Sequence, residues 1–462
     1  MNDNIILLSD SYKVSHWKQY PPKTTNVYSY FESRGSDDFT ETTFFGLQYI
    51  IRKHLAGKQV TAAKIDQAEA LYEAHFGSPD LFNRAGWERI LNEYGGRLPV
   101  RIKAVPEGTK VPVGNVLMTI ENTDPECFWL TNFLETLLSQ VWYPSTVATV
   151  SGQARKQILV ALEKTGDPSL IDFKLHDFGF RGVSSVESAG IGGAAHLLNF
   201  LGTDTVAALT FLQDYYSAGM AGFSVPASEH STMTSWGREN EADAYRNMIE
   251  QYGDCGIYSV VSDSYDLFKA VKDIWGDKLR DAVLAAPGTL VVRPDSGFPP
   301  HIVNYTLELL GKQFGYTVND KGYKVLNPKV RVIQGDGLNL KMIDNILKTI
   351  EHEKWSADNV TFGMGGGLLQ QVNRDTMRFA FKCSSAIVDG EERDVFKQPA
   401  TDQGKDSKRG RLALVKRDDE FFTVAEEAAS RYDSGDLLET VFENGWVTSE
   451  WNLDQIRKRA QV

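Results

Sequence analysis

The sequence predicts an α/β fold: an irregular (β/α) barrel beside a second, discontinuous α+β domain made from both ends of the chain. Seven short apolar runs, each ending in polar residues, alternate with helical patterns between residues 166 and 380. Their spacing of roughly 20 to 40 residues is typical of βα units in a parallel sheet. Glycine-rich turns follow the last two runs, and the strand pattern of the first third returns after Lys382.

Residues 1–165 are predicted to form the N-terminal α+β part. Residues 98–120 alternate apolar and polar side chains between prolines and glycines, which is the pattern of β-hairpins. Helical periodicity covers five segments, residues 43–55, 62–75, 87–94, 128–141 and 150–162. Residues 381–462 are predicted to pack with this part and to end in a helix near residues 453–460.

Residues 166–380 are predicted to form the barrel. In such barrels the chemistry lies where strands pass into loops, and a phosphate site commonly follows the last two strands. Residues 316–328 interrupt the pattern as a predicted hairpin. The strands are expected in residues 173–179, 197–204, 221–226, 257–263, 289–295, 331–336 and 360–363.

The loop Gly363-Met364-Gly365-Gly366-Gly367 is the strongest candidate for a phosphate site. Without Cβ atoms its backbone N–H groups can close on an anion, and the positive end of the following helix favours the same charge. A similar unit ending at residues 335–337 lies about 30 residues upstream, so we expect a paired site. A tight loop that binds no ligand is the alternative.

Composition excludes several classes of partner. The 462 residues carry a formal net charge of -12, and nucleic acid or an anionic membrane would need a basic face. The N-terminus has no basic start or long apolar run, so no signal peptide or membrane span is expected. Cys127, Cys255 and Cys383 lie far apart, which predicts reduced thiols in the cytoplasm and argues against a zinc site or disulfide framework.

The polar residues at the predicted strand ends indicate a sugar-phosphate site. Carboxylates accept ribose hydroxyls or anchor Mg²⁺, while arginines and backbone N–H groups hold phosphate. These residues are His176, Asp177, Arg181, Asp204, Ser224, His230, Asp263, Arg293, Asp295 and Asp336. Further cations extend the cluster toward a second phosphate group, with a solvated surface as the alternative, namely Arg374, Lys382, Lys397 and Lys405.

Two of these positions allow a second interpretation. Arg293 and Asp295 stand two apart at a strand end and point to the same side, with a structural pair that holds the loop as the less favoured alternative. His230 is predicted to begin a helix running through Trp236 and Tyr245, with Ser228 as a candidate N-cap. A helix N-terminus favours neutral imidazole, which can attack phosphorus or act as a base, whereas a lone histidine is often structural.

Ten segments together resemble the nicotinamide phosphoribosyltransferases, in the nicotinate/nicotinamide family of type II phosphoribosyltransferases. They occur in the family's order and extend from Asp10 to near the C-terminus. They are residues 10–16, 28–32, 122–127, 174–185, 202–205, 224–232, 260–266, 293–297, 332–337 and 365–370.

The resemblance implies the barrel of the type II enzymes and a homodimer with active sites at the subunit interface. It implies that nicotinamide is joined to 5-phosphoribosyl 1-pyrophosphate, giving nicotinamide mononucleotide and pyrophosphate in NAD salvage. Mg²⁺ would act with the substrate pyrophosphate, with Asp295 as a candidate ligand. ATP would be a co-substrate that phosphorylates His230.

The resemblance also assigns the base subsite. Phe178 and Tyr12 would sandwich the pyridine ring, with Tyr12 supplied by the partner subunit. Asp204 would accept the carboxamide N–H, and Arg181 and Ser224 would lie beside the ring.

The remaining roles concern sugar, phosphate and pyrophosphate. The catalytic candidates are His230, Asp263, Arg293 and Asp295. The ribose and 5′-phosphate would be held by Gly335, Asp336, Gly365 and Gly366. The pyrophosphate contacts, some of them from the second subunit, would be Arg34, Arg374, Lys382, Lys397 and Lys405.

Three rival functions are weighed against this interpretation. A nicotinate phosphoribosyltransferase is disfavoured because Asp204 would repel a carboxylate base. A sugar-phosphate isomerase or aldolase on a barrel would use the same phosphate cradle, but an aldolase usually needs a strand-end lysine, and none is predicted. A signalling or structural role does not account for the clustered strand-end charges. Departures from the family pattern are Met364 in the phosphate loop and apparent shortening at residues 35–40 and 217–220 relative to vertebrate relatives.

Overall fold

The computed structural model describes residues 3–398 and 407–461, so Lys405 lies outside the described residues. The described chain divides into two compact units. The first unit falls within Met1–Thr146, Tyr215–Ser217 and Asn373–Val462, and the second is Val147–Asp214 with Ala218–Val372. Both ends of the chain therefore contribute to the first unit. The domain boundaries expected at residues 165 and 380 stay a prediction.

The strands of the described chain are numbered here in chain order. They are β1 Thr24–Ser33, β2 Glu41–Thr43, β3 Val100–Ala104, β4 Lys110–Pro112, β5 Val116–Asn122, β6 Leu175–Asp177, β7 Gly202–Thr203, β8 Ile257–Val261, β9 Thr289–Arg293, β10 Tyr316–Val318, β11 Lys324–Leu326, β12 Val330–Gln334, β13 Val360–Met364, β14 Phe379–Val388, β15 Glu391–Asp394, β16 Leu412–Arg417, β17 Glu420–Ala425, β18 Glu439–Glu443 and β19 Trp446–Val447.

The α-helices are α1 Leu47–Ile50, α2 Ala62–Phe76, α3 Arg84–Tyr94, α4 Leu130–Phe133, α5 Glu135–Leu138, α6 Trp142–Thr165, α7 Val186–His196, α8 Val206–Tyr216, α9 His230–Thr234, α10 Glu241–Tyr252, α11 Leu267–Lys269, α12 Arg280–Ala285, α13 Pro299–Phe314, α14 Leu340–His352, α15 Gly366–Leu369 and α16 Leu453–Ala460. Two further segments, Ile51–Leu55 and Ala270–Lys278, are π-helical. None of the described helices is both long enough and apolar enough to cross a membrane.

The second unit contains a parallel sheet with strand order β7-β6-β13-β12-β9-β8. Residues 223–227 close this sheet into a ring through parallel bridges to both of its edges: Phe223 pairs with Gly202 of β7, and Ala227 pairs with Ser259 of β8. Pro226 O accepts a hydrogen bond of 2.9 Å from Ser259 N. All seven predicted runs contribute to the ring, so the predicted (β/α) barrel is confirmed.

Apolar side chains on both faces of the barrel strands hold this unit together. Val260, Leu290 and Val332 are buried on one face of the sheet, and Val261 and Ile333 are buried on the other, as expected for parallel strands covered by helices. The helices that follow present one apolar face, as in α14, where Ile343, Ile346, Leu347 and Ile350 are buried. Truncating one such side chain to alanine typically costs about 2–5 kcal/mol of stability.

The hairpin predicted at residues 316–328 is confirmed by the antiparallel pair β10 and β11. Its tip caps the C-terminus of α6. Lys321 Nζ donates to the carbonyls of Glu163 and Gly166, both at 2.7 Å, and Asn319 Nδ2 donates to Thr165 O at 2.8 Å. These groups satisfy carbonyls that have no partner within the helix.

The first unit is built on an antiparallel sheet with strand order β15-β14-β1-β5-β3-β18-β19. Charged pairs fasten the β16–β17 hairpin to it: Arg411 donates two hydrogen bonds of 2.9 Å to Glu121 and one of 2.6 Å to Glu426. The helix predicted from residue 43 is partly wrong, because Thr43 ends strand β2 and the α-helix begins at Leu47. Pairing of β2 with β4 overrides the local helical pattern there.

Candidate active site

A cavity of about 670 Å³ lies at the carboxyl ends of the barrel strands in the second unit. Parallel strands bring their carboxyl ends to one edge, so residues distant in sequence meet there. The predicted site residues that line it are Phe178, Arg181, Asp204, Arg293, Asp295, Gly335, Asp336, Gly365 and Gly366. Ser224, His230 and Asp263 contact these lining residues.

Phe178 occupies a turn directly after β6. Its backbone N–H donates to Met364 O at 3.0 Å, and its ring lies against the glycines that end two neighbouring strands. A Cβ on Gly363 would come 2.0 Å from Phe178 Cε2, and one on Gly335 would come 3.1 Å from it. Only glycine at position 363 leaves room for the ring in this position.

Asp204 and Ser224 form a hydrogen-bonded pair beside this ring. Ser224 Oγ donates to Asp204 Oδ1, and Asp204 N donates to Asp177 O at 3.0 Å. Arg181 lies in the short 3₁₀ turn Phe180–Gly182 and lines the same cavity. The structure therefore gathers one aromatic face, one carboxylate and one cation at the β6–β7 side of the cavity.

His230 is held by two strand-end carboxylates. Its Nε2 lies 2.9 Å from Asp263 Oδ1, and its Nδ1 lies 3.9 Å from Asp295 Oδ2. Asp263 Oδ2 accepts hydrogen bonds from Asp295 N at 3.1 Å and from Ser296 Oγ at 2.6 Å. The Asp263 carboxylate therefore orients the imidazole and is itself fixed by the loop that follows β9.

The predicted helix containing His230 is wrong in its extent. Helix α9 ends at Thr234, and Gly237 takes a φ of 82° before α10 begins. Ser228 does not cap the helix, because its Oγ accepts a hydrogen bond of 2.9 Å from Val261 N. Because α9 is barely more than one turn long, it has only a small helix dipole, and the hydrogen bond to Asp263 is what orients the imidazole of His230.

Arg293 and Asp295 approach each other but do not complete a hydrogen bond. Arg293 Nε lies 3.8 Å from Asp295 Oδ1 and is buried with no hydrogen-bond partner among the described residues. Buried donors are nearly always satisfied. This one, at the cavity wall, is therefore well placed to donate to a ligand oxygen.

The carboxylates at this end of the cavity fit a cation that arrives with a ligand. Burial raises the pKa of Asp295, and the negative charges of Asp263 and Asp336 raise it further, against the opposing effects of Arg293 and His230. No group of three or more His, Cys, Asp or Glu side chains among the described residues is arranged to hold a metal ion. Mg²⁺ commonly binds through one or two carboxylates plus substrate phosphates, and this donor set suits that mode.

In the glycine loop at the end of β13, some positions have no room for a Cβ atom and others face open space. A Cβ on Gly367 would come 2.3 Å from Leu338 O, whereas one on Gly366 would meet nothing within 4 Å. Helix α15 is a single turn, so its unpaired first N–H groups provide the anion-binding potential rather than a long helix dipole. Met364, expected to alter the phosphate fit, is buried and is not among the cavity-lining residues.

The predicted pyrophosphate cations that the structure describes lie in the first unit. There a cavity of about 880 Å³ is lined by Arg34, Arg374, Lys382 and Lys397. Burial lowers the pKa of Lys382, and the charges of the other three add to the effect, opposed by Glu135. Such mutual repulsion between cations is relieved when an anion binds among them.

Tyr12, also in the first unit, is 59% exposed in the 3₁₀ segment Ser11–Lys18.

Some residues at these sites were not assigned a role from the sequence. Ser296 donates a hydrogen bond to Asp263. Its position directly after Asp295, a predicted site residue, is the sequence feature that could have indicated this role. Arg378 and Lys408 line the cavity of the first unit, but no local pattern distinguishes them from solvated cations. The sequence places Asp177 among the strand-end carboxylates but assigns it no specific role.

Comparisons with known proteins identify the family. Residues 173–446 match the nicotinate phosphoribosyltransferase (NAPRTase) family, and residues 4–102 match the N-terminal domain of nicotinamide phosphoribosyltransferase. A nicotinamide phosphoribosyltransferase from Xanthomonas campestris pv. campestris is 54% identical, covering 100% of this chain and 98% of that protein. One from Acinetobacter baylyi is 34% identical, covering 97% and 95%.

A solved structure supports the fold independently. The crystal structure of nicotinate-nucleotide pyrophosphorylase from Pyrococcus furiosus aligns with a TM-score of 0.64 at 16% identity, covering 100% of this chain and 96% of that one. At that identity the likeness concerns the fold alone, which is that of the type II phosphoribosyltransferases. From the sequence matches, the chain belongs to the nicotinate phosphoribosyltransferase family and, within it, to the nicotinamide phosphoribosyltransferases.

Proposed function

We propose that this protein joins nicotinamide to 5-phosphoribosyl 1-pyrophosphate, forming nicotinamide mononucleotide and pyrophosphate in NAD salvage. The observation that carries the proposal is that one cavity is lined by an aromatic face at Phe178, a carboxylate at Asp204 and the open glycines Gly365 and Gly366. These features match a pyridine ring, its carboxamide and a 5′-phosphate, respectively.

Asp204 selects the base. A carboxylate accepts a hydrogen bond from the carboxamide N–H of nicotinamide but repels the carboxylate of nicotinate. Ser224 donates to Asp204 Oδ1, which restrains the carboxylate and leaves its other oxygen for the base. Phe178 supports one face of the ring, and Tyr12 of a second subunit is proposed to cover the other.

Bond cleavage at the anomeric carbon builds positive charge on the ribose and negative charge on the departing pyrophosphate. Positioning and electrostatic stabilisation therefore carry the rate, and no protein nucleophile is needed for this step. Arg293 has a free buried Nε–H at the cavity wall and is proposed to donate to a phosphate oxygen. Asp295 and Asp336 would hold Mg²⁺ together with the substrate pyrophosphate, and the ion would neutralise the leaving group.

His230 is proposed to couple ATP hydrolysis to synthesis. Because the Asp263 carboxylate accepts from Nε2 at 2.9 Å, a neutral imidazole keeps its lone pair on Nδ1. That nitrogen attacks the γ-phosphorus of ATP, forming a phosphohistidine and releasing ADP. The new phosphate stands beside the cavity and strengthens binding of the second substrate through Mg²⁺.

We also propose a cytoplasmic homodimer whose subunits share active sites. Val186 and Val206, at the starts of α7 and α8, are 70% and 64% exposed. Contiguous exposed apolar patches are typical of interaction surfaces, and we propose that these two valines belong to one. The cations Arg34 and Lys382 would contact pyrophosphate, some from across the interface. The three cysteines are free thiols in the structure, as suits a reducing compartment.

The test is product formation by the purified protein with nicotinamide, 5-phosphoribosyl 1-pyrophosphate and Mg²⁺. We expect equimolar nicotinamide mononucleotide and pyrophosphate, and faster formation when ATP is added. Leaving out Mg²⁺ should suppress the reaction. Absence of mononucleotide under all of these conditions would overturn the proposal, whereas synthesis unaffected by ATP would remove only the coupling.

A further inference from the structure

We propose that Asp177 is a positioning residue of the base subsite, whose buried carboxylate fixes the turn that carries the ring of Phe178. The inference rests on the proposed function, because it concerns the same subsite. Asp177 is the last residue of β6 and is fully buried, so it does not itself line the cavity. None of the steps described above uses it.

The side chain of Asp177 closes the turn after β6. Its Oδ1 accepts a hydrogen bond of 2.7 Å from Gly179 N, while Phe178 N donates to Met364 O at 3.0 Å. Hydrogen bonds therefore restrain the backbone at Phe178 itself and at the residue that follows it. A Cβ on Gly179 would come 2.6 Å from Leu369 Cδ1, so the turn is also packed tightly from outside.

The backbone of Asp177 reaches the other wall of the subsite. Its carbonyl oxygen accepts from Asp204 N at 3.0 Å. One residue thus touches both groups proposed to contact the base: the side chain holds the turn of Phe178, and the main chain holds Asp204. A shift of Asp177 would move the stacking ring and the carboxamide acceptor together.

The surroundings of the Asp177 carboxylate do not suggest that this residue is present to stabilise the fold. Its Oδ2 has no partner at hydrogen-bond geometry among the described residues, with Thr205 beside it. Burial raises the pKa of this carboxyl to about 6, and the charge of Asp204 adds to the rise. A buried, incompletely satisfied carboxylate costs folding free energy, which an apolar residue in this place would avoid. Fixing the turn accounts for its presence.

The experiment compares Asp177→Ala and Asp177→Asn with wild type, measuring kcat and the KM of each substrate. Asparagine keeps an acceptor for Gly179 N, whereas alanine removes it. Asn359→Ala is the matched control: Asn359 is also buried, accepts from Leu326 N at 2.8 Å and lies at the opposite end of the barrel, before β13. Thermal unfolding of all variants measures the loss of stability separately.

We expect Asp177→Ala to raise the KM for nicotinamide about tenfold or more, since small misplacements of a positioning group are costly. The KM for 5-phosphoribosyl 1-pyrophosphate should change little, and Asp177→Asn should restore most of the nicotinamide affinity. Asn359→Ala should lower stability without raising the KM for nicotinamide more than the KM for 5-phosphoribosyl 1-pyrophosphate.

Equal changes in both KM values, or an Asp177→Asn variant as impaired as Asp177→Ala, would overturn the inference. If Asp177→Ala fails to fold, the comparison of Asp177→Asn with wild type tests the inference: we expect a nicotinamide KM close to that of wild type, and a tenfold rise would contradict it. Failure of wild type to form mononucleotide would instead contradict the proposed function.

Discussion

His230 Nε2 lies 2.9 Å from Asp263 Oδ1, and the other oxygen of that carboxylate is fixed by Asp295 N and Ser296 Oγ. An acceptor that is itself held in place fixes both the tautomer and the orientation of a neutral imidazole. The arrangement directs Nδ1 toward Asp295, at 3.9 Å. Substitution of His230 therefore provides a direct test of the proposed ATP coupling.

Replacing His230 with alanine is expected to abolish stimulation by ATP and to leave slow ATP-independent synthesis, because the bond-breaking step needs no protein nucleophile. Initial rates with and without ATP measure this. His352→Ala is the control, since the His352 side chain is 86% exposed at the end of α14. Loss of both activities together in His230→Ala would contradict the assigned role.

Asp204→Ser is expected to weaken the preference for nicotinamide over nicotinate by about tenfold or more, since a site built around a polar partner discriminates steeply. The measurement is the ratio of kcat/KM for the two bases. Ser224→Ala should weaken the preference less, because it frees the carboxylate without removing it. Unchanged selectivity in Asp204→Ser would refute the assignment.

Gly363→Ala and Gly366→Ala form a matched pair. A Cβ at 363 would come 2.0 Å from Phe178 Cε2, whereas one at 366 would meet nothing within 4 Å. We expect Gly363→Ala to displace the ring and raise the KM for nicotinamide. Gly366→Ala should keep the melting temperature and raise the KM for 5-phosphoribosyl 1-pyrophosphate, because the Cβ intrudes on the phosphate. If Gly363→Ala instead raised the KM for 5-phosphoribosyl 1-pyrophosphate and Gly366→Ala raised that for nicotinamide, the assignment of the base and phosphate subsites would be contradicted.

The raised pKa of Glu107, in the first unit, predicts that the stability of the protein depends on pH. Burial raises its pKa from 4.5 to about 7, opposed by hydrogen bonds such as that from Gln48 N at 2.7 Å. The folded protein therefore retains a proton that the unfolded chain releases near pH 4.5. This group's stabilisation is complete below pH 4.5 and is lost as the pH rises toward 7.

Glu107→Gln keeps the acceptor for Gln48 N but cannot ionise. We expect the variant to gain melting temperature relative to wild type at pH 8 and to lose that advantage at pH 4.5. Glu391→Gln, at an exposed position of β15, should show no such trend. A difference between Glu107→Gln and wild type that is equal at both pH values would contradict the shifted pKa.

Much of the barrel could be predicted because its signals are local. Each strand is a short apolar run that ends in polar residues, and all seven runs occupy the ring. The closure by Phe223 and Ala227 rests on isolated bridges, and no sequence pattern shows which strands they join. Likewise, the end of α9 at Thr234 depends on the φ of Gly237, although the apolar pattern continues to Tyr245.

The candidate site was predictable where residues stand at strand ends. Asp204, Arg293 and Gly365 line one cavity, because parallel strands place their carboxyl ends together. Pairings such as Ser296 with Asp263 depend on how two loops meet in space, which residue type alone does not determine. The same holds for the role proposed for Asp177, which rests on its contacts with Gly179 and Asp204.

The central claim is tested most directly by a competition assay. Purified protein, Mg²⁺ and 5-phosphoribosyl 1-pyrophosphate are incubated with equimolar nicotinamide and nicotinate, and both mononucleotides are quantified by mass spectrometry. The account predicts nicotinamide mononucleotide as the dominant product, with and without ATP. Nicotinate mononucleotide as the dominant product would contradict the role given to Asp204, while no product from either base would contradict the proposed reaction itself.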